Sequence, residues 1–290
     1  MPPASMSGKI CIVTGANSGI GKETALGLAQ LGARVVMVCR NAEKGKAALE
    51  EIRRESGSSQ VDLLIADVSS QASVRALAEQ IQQKYPRLDV LVNNAGGAPP
   101  ARTLSADGIE VTLATNHLGA ALLTLLLLDL LKASAPSRIV NVSSCEAQSP
   151  ARLDMNDLQF ERRKYGGIAA YRQSKLLMNT FTFELARRLA GTGVTANCLH
   201  PGAVATNIWS SSAPSLIVKL IIPVVKPFML TSKQGAAVSL YLATSPEVAQ
   251  VSGQYFVKSK PAKSNPLSRD PKLMAEVWLC TEKMTSLPLA

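Results

Sequence analysis

The chain has 290 residues, with 31 Lys plus Arg against 21 Asp plus Glu and a formal charge of +10. Hydrophobic residues make up 47% and charged ones 18%, which excludes a disordered chain and allows one large α/β domain with a real core. Aromatics at 4%, two histidines and five cysteines without a Cys-x-x-Cys pair argue against a base-stacking module, a metal centre and a disulfide framework.

Met1 to Gly8 shows no basic start and no apolar run, so residues 1–7 are expected to be a flexible lead rather than a signal peptide. Apolar, β-branched runs follow at Ile10–Thr14, Val35–Val38, Val61–Ile65, Val90–Val92, Ile139–Val142, Val194–Leu199 and Tyr255–Val257. Segments with helical spacing separate most of them: Glu23–Leu31, Glu43–Glu55, Ser73–Lys84, Gly108–Lys132, Ile168–Ala190 and Ser232–Ala243. In the third, Val74, Leu77, Ala78 and Ile81 fall on one face. Strands that are apolar throughout are buried on both sides. The pattern therefore predicts a doubly wound parallel sheet of about seven strands with helices on both faces. No Pro/Gly/Ser-rich linker divides it, so a single domain is expected over 8–258, followed by a basic extension over 259–290. The longest apolar stretch, Leu118–Leu131, contains Asp129 and falls short of the ~18 residues of a membrane span. A soluble, cytoplasmic protein is expected, and membrane attachment is the disfavoured alternative.

The first strand runs into Thr14-Gly15-Ala16-Asn17-Ser18-Gly19-Ile20-Gly21. Glycines are needed where the chain turns sharply and a diphosphate approaches the amides of a helix N-terminus. Tyr171 and Lys175 are four apart and share a helix face. An ammonium near a phenol favours its ionised form, which brings proton exchange within reach of neutral pH. At the end of the second strand stands Arg40, with no carboxylate until Glu43; an arginine there accommodates a 2′-phosphate. Together these point to NADP(H).

Asn93-Asn94-Ala95-Gly96, Thr115-Asn116-His117-Leu118-Gly119, Asn141-Val142-Ser143-Ser144, Tyr171-Arg172-Gln173-Ser174-Lys175 and Pro201-Gly202-Ala203-Val204-Ala205-Thr206 follow in order. From Ser7 to Val257 the chain resembles the short-chain dehydrogenase/reductase family, and its TGANSGIGKETA, Cys39-Arg40, RIVNVSS and HPGAV wording is similar to the retinol-dehydrogenase-like branch. The resemblance implies a Rossmann-like fold and an alcohol/carbonyl oxidoreductase. It implies catalytic roles for Asn116, Ser144, Tyr171 and Lys175, with Ser143 the competing serine. It also implies cofactor contacts from Gly15, Asn17, Ser18, Gly19, Ile20, Gly21, Arg40, Asp67, Val68, Asn94, Ala95, Gly96, Tyr171, Lys175, Pro201, Gly202, Val204 and Thr206, and no metal. The apolar segment over 207–231 falls where the family has a substrate lid, so a small lipophilic carbonyl or alcohol is expected. Retinoid, steroid and aromatic substrates all fit. His117 and His200 read as structural. The apolar helices over 108–132 and 168–190 carry more apolar surface than one sheet contact covers, and in the family they form a dimer interface; a homo-oligomer is expected. No motif supports a nucleic-acid partner. The alternative function is a dinucleotide-binding regulatory protein with little turnover, against which the complete Asn116, Ser144, Tyr171 and Lys175 set weighs.

Overall fold

In a computed structural model of the chain, described for residues 4–148, 153–204 and 229–287, the first apolar run forms β1 (Ile10–Thr14), buried along its whole length. Its side chains alternate between two cores: Ile10 and Ile12 enter one layer, Cys11 and Val13 the other. This period-2 alternation, with both faces apolar, is what a sheet covered on both sides requires. In chain order follow α1 (Gly19–Gln30), β2 (Arg34–Cys39), α2 (Ala42–Ser56), β3 (Val61–Ile65), α3 (Gln71–Lys84) and β4 (Val90–Asn93). Asn41 caps α2 by accepting from the Lys44 amide, and Ser70 caps α3 through Ser73. Next come α4 (Val111–Leu113), a π-helical turn (Ala114–Leu118), α5 (Gly119–Leu126) and α6 (Leu128–Ala133). The chain continues with β5 (Ser137–Val142), α7 (Gly167–Arg188), β6 (Val194–His200), α8 (Ser232–Thr244), β7 (Tyr255–Val257), β8 (Lys260–Ala262) and α9 (Pro271–Thr285).

The sheet order is β3-β2-β1-β4-β5-β6-β7-β8. β1 to β7 pair in parallel, and β8 runs antiparallel beside β7. The chain builds outward from β1 to β3 and then crosses back to β4 on the other side of β1. That reversal opens a crevice at the carboxyl ends of β1 and β4, where doubly wound folds bind ligands.

Three expectations change. The seven-strand sheet has an eighth strand, reached through Lys258 and Ser259, whose φ angles of 48° and 59° suit a two-residue hairpin turn. The lead over residues 1–7 is anchored at its end: Met6 is buried and its amide donates to the Leu31 carbonyl at 2.8 Å. The extension expected over 259–290 is folded, in its described part to residue 287, rather than a basic tail. Pro271 starts α9, Asp270 caps it through the Leu273 amide, and Val277 and Trp278 enter the core against α7. The second apolar face of the 168–190 helix, read as a surface for another chain, is thus covered by α9 of the same chain. The segment 205–228, which holds most of the expected lid, and Thr206 lie outside the described residues. Among the described residues no helix is long and apolar enough to cross a membrane.

Candidate active site

The glycine turn is shaped by its own residues. Gly15 and Gly19 have φ angles of 68° and 58°, which L side chains adopt only at a cost. At Gly21 a Cβ would collide with the Gly15 carbonyl and the Asn94 amide. Thr14 Oγ1 accepts from the amides of Asn94 and Ala95, both at 3.0 Å, and Asn94 Nδ2 donates to the Thr14 carbonyl at 2.8 Å. The turn between β1 and α1 is therefore stitched to the end of β4. Ser18 precedes α1 in extended conformation without capping it, and the first turn of α1 holds no acidic residue. Bare amides, a positive dipole end and no competing carboxylate form a cradle for an anion. These residues fit the diphosphate of a dinucleotide.

At the outer end of this crevice, β2 and β3 deliver Arg40 and Asp67. The Arg40 guanidinium lies 3.8 Å from the Asp67 carboxylate and its side chain is 74% exposed. Such an open ion pair is weak and leaves the guanidinium able to meet a second anion. Asp67 also accepts from the Ser69 amide and hydroxyl at 2.9 and 2.7 Å. The carbonyl of Val68 packs so closely on α5 that a Cβ at Gly119 would collide with it.

At the inner end, one concavity gathers Ile20, Asn94, Gly96, Ser144, Tyr171, Lys175, Pro201, Gly202 and Val204 from the sequence-derived set. Gly15, Asn17, Ser18, Gly19 and Gly21 belong to the adjoining turn and Ala95 to the chain just after β4, and none of them lines the concavity. Lys175 is buried, and its Nζ donates to the Val142 carbonyl at 2.8 Å. Burial alone pushes its pKa down to about 8, because a charge in low dielectric is costly. The ammonium sits 5.6 Å from the centre of the Tyr171 ring. Asn116 lies just behind, fully buried in the π turn: its Oδ1 accepts from the Gly97 amide at 2.8 Å, and its Nδ2 donates to the Gly97 carbonyl and to Ser174 Oγ. A Cβ on Gly96 would stand 3.1 Å from Asn116 Oδ1 and 3.6 Å from Lys175 Nζ. The absent side chain at Gly96 leaves room for Asn116 Oδ1, which a Cβ would crowd.

The two serines differ in setting. Both line the concavity, but Ser143 is the more deeply buried and its Oγ faces the Lys175 carbonyl at 3.5 Å. His200 Nδ1 accepts from the Cys145 amide at 3.1 Å and from the Gly202 amide at 3.4 Å, so it ties the chain after β5 to the chain after β6. All five cysteines are free thiols, and burial pushes Cys39 up to about 11, which keeps it protonated and inert.

Three contributors escaped the sequence reading. Thr14 holds the turn to β4, and its signal was only its place beside Gly15. Ala98 and Ile168 line the concavity, and Ile168 stays 45% exposed there; an apolar residue opening a helix carries no sequence signal for this. Among the described residues no cluster of metal-ligating side chains occurs.

Residues 9–155 match the family model for short chain dehydrogenase. The chain is 41% identical over 287 residues to human retinol dehydrogenase 13, covering 98% of this chain and 86% of that protein. Human retinol dehydrogenase 12 is 42% identical over 273 residues, with 94% and 85% covered. Among solved structures, an uncharacterized protein from Mycobacterium paratuberculosis superposes with a TM-score of 0.80 at 31% identity, covering 99% of this chain and 98% of that one. Pseudomonas aeruginosa RhlG in its NADP active-site complex gives a TM-score of 0.70 at 28% identity, over 88% and 97%. Fold, anion cradle and near-full-length identity agree: this chain belongs to the short-chain dehydrogenase/reductase family, in its retinol-dehydrogenase-like branch, and is an oxidoreductase that works with a nicotinamide dinucleotide.

Proposed function

We propose that the protein transfers a hydride between NADP(H) and a lipophilic carbonyl or alcohol, with Tyr171 as the general acid/base. The observation that carries this reading is the convergence of Tyr171, Lys175 and Ser144 on one concavity with Asn116 behind them. A pure nucleotide sensor needs the anion cradle but no buried lysine beneath a phenol.

The turn from Gly15 to Gly21 would hold the diphosphate, Arg40 the 2′-phosphate, and Lys175 the nicotinamide ribose. When bound, the nicotinamide supplies or accepts the hydride. In the reducing direction Tyr171 donates its phenolic proton to the carbonyl oxygen, and in the oxidising direction it takes the alcohol proton. Ser144 donates a hydrogen bond to the same oxygen and fixes it where negative charge develops. The Lys175 ammonium, in low dielectric and close to the ring, favours the phenolate left after proton donation. Asn116 keeps the Gly97 backbone and Ser174 in register behind the lysine, and on the family pattern it continues the proton path.

The walls of the concavity are largely apolar, with Ile20, Ala98, Val142, Ile168 and Val204 among them. Apolar walls select by buried area rather than by hydrogen bonds, and the relatives are named for retinol, so a retinoid is the first substrate to try. The test follows NADPH and NADH absorbance separately with all-trans-retinal, a steroid ketone and an aromatic ketone. Turnover of at least one with NADPH supports the reading. Tight nucleotide binding with no turnover across a broad carbonyl and alcohol panel would instead favour a regulatory dinucleotide-binding protein.

A further inference from the structure

We propose that His117, held by Thr281 of the C-terminal helix α9, is a positioning residue for Asn116, which makes α9 a working part of the site. This rests on the role assigned to Asn116 above. Asn116 and His117 are consecutive in the π turn, and they face opposite partners. Asn116 bonds Gly97 and Ser174 toward the site. His117 Nε2 lies 2.9 Å from Thr281 Oγ1, a contact 164 residues apart in sequence.

The direction of that bond follows from the threonine. Thr281 Oγ1 donates its only proton to the Val277 carbonyl at 2.7 Å, so toward the histidine it accepts. We assign the ring proton to Nε2, where it finds this acceptor, because on Nδ1 it would be a buried donor with no partner. Burial pushes the imidazole pKa down to about 3, so the ring stays neutral. One hydrogen bond thus sets the ring's rotation.

Aromatic contacts set its position. His117 meets Phe181 edge to face at 5.8 Å, and Phe181 stacks on Trp278 of α9 at 5.4 Å and 11°. The Arg188 guanidinium closes the far side of Trp278 at 4.1 Å. Trp278 and Thr281 are three apart on α9 and face the same way. Phe181 is on α7, the helix that carries Tyr171 and Lys175. Helix α9 therefore clamps the π turn to α7, the two elements whose relative placement brings Asn116 to Ser174, next to Lys175. The π turn, with its i to i+5 bond from the Gly119 amide to the Ala114 carbonyl, is a rare geometry found mostly as a single-turn bulge within α-helices and often at functional sites.

Hydrogen exchange at the Gly97 amide reports where Asn116 Oδ1 sits and needs no substrate. Thr281→Val, which keeps the volume and removes the acceptor, is expected to speed that exchange about tenfold, while Thr281→Ser restores it. The Gly253 amide, bonded to the Ala196 carbonyl, is the control and should change less than twofold. In an Asn116→Ala background, Thr281→Val should add nothing at Gly97. With all-trans-retinal and NADPH, Thr281→Val should lower kcat about tenfold and leave the nucleotide Kd within twofold. If Thr281→Val does not fold, His117→Gln against His117→Leu asks the same question, since Gln keeps a donor near the Nε2 position. Unchanged Gly97 exchange, equal acceleration at Gly253, or an additive loss in the Asn116→Ala background would each overturn the proposal. A parent enzyme no faster than Tyr171→Phe would instead overturn the catalytic reading and leave the exchange result standing.

Discussion

Replacing Lys175 by Met should stabilise the nucleotide-free protein, although it removes a residue of the site. The lysine is 4% exposed, and burial takes its pKa from the ordinary 10.5 down to about 8. A pKa lowered on folding means that the folded state resists the charge, so the group subtracts stability. Below about pH 8 the lysine is charged in both states and the whole cost is present, about 3 kcal/mol at 1.4 kcal/mol per tenfold. Between about 8 and 10.5 the folded lysine is neutral while the unfolded one is charged, and the cost shrinks as pH rises. Above 10.5 it is gone. Methionine fills similar volume but leaves the Val142 carbonyl without the 2.8 Å donor, a loss of about 1 kcal/mol. The net gain at pH 7 is about 2 kcal/mol, or roughly 3 °C in Tm at an unfolding entropy of about 2 cal/mol/K per residue. Thermal unfolding of the parent and Lys175→Met at pH 7 and pH 10 reads this directly. A variant less stable at pH 7, or a difference that does not shrink toward pH 10, would show that the buried charge carries no such cost.

Arg40→Asp should invert cofactor choice, because a carboxylate repels a 2′-phosphate and accepts from a free hydroxyl; the parent is expected to favour NADPH over NADH by roughly ten- to a hundredfold. That preference should narrow at high salt, given the exposure of Arg40, and a parent indifferent to the two cofactors would contradict it. Ser144→Ala should cut kcat about a hundredfold, whereas Ser143→Ala should act mainly on stability through its contact with α7; the reverse pattern would exchange the two roles. Self-association is expected through α5 and α6, whose Leu125, Leu126, Leu128 and Leu130 are only partly buried, because α9 already covers α7. Light scattering that finds only monomer at micromolar concentration would remove it.

What the sequence made legible was local chemistry. Gly15 and Gly21 announce a turn because only glycine satisfies a positive φ at one and the absent Cβ at the other. Tyr171 and Lys175 share a face because four residues make one helical turn. The alternation of apolar runs fixed the sheet because both of its faces are covered. What stayed hidden depended on distant partners. Helix α9 sets Val277, Thr281 and Met284 on one side among Lys272, Glu276 and Lys283, and its apolar side acquires meaning only against Leu177 and Phe181 of α7. Strand β8 contains Pro261, which sequence propensity counts against a strand but an edge tolerates. The π turn breaks the helix expected over 108–132 without disturbing its apolar periodicity, and His117 read as structural without any hint of Thr281.

In the proposed reaction Tyr171 moves the proton while a nicotinamide moves the hydride. The most direct measurement is single-turnover transfer from 4-deuterated NADPH to all-trans-retinal, comparing the parent with Tyr171→Phe and measuring nucleotide Kd for both. Deuterium is expected on the carbinol carbon of the product, with a rate at least about a thousandfold lower in Tyr171→Phe. The nucleotide Kd should stay within twofold, because the ring remains and only its hydroxyl is lost. Transfer by Tyr171→Phe within tenfold of the parent would contradict this role of Tyr171.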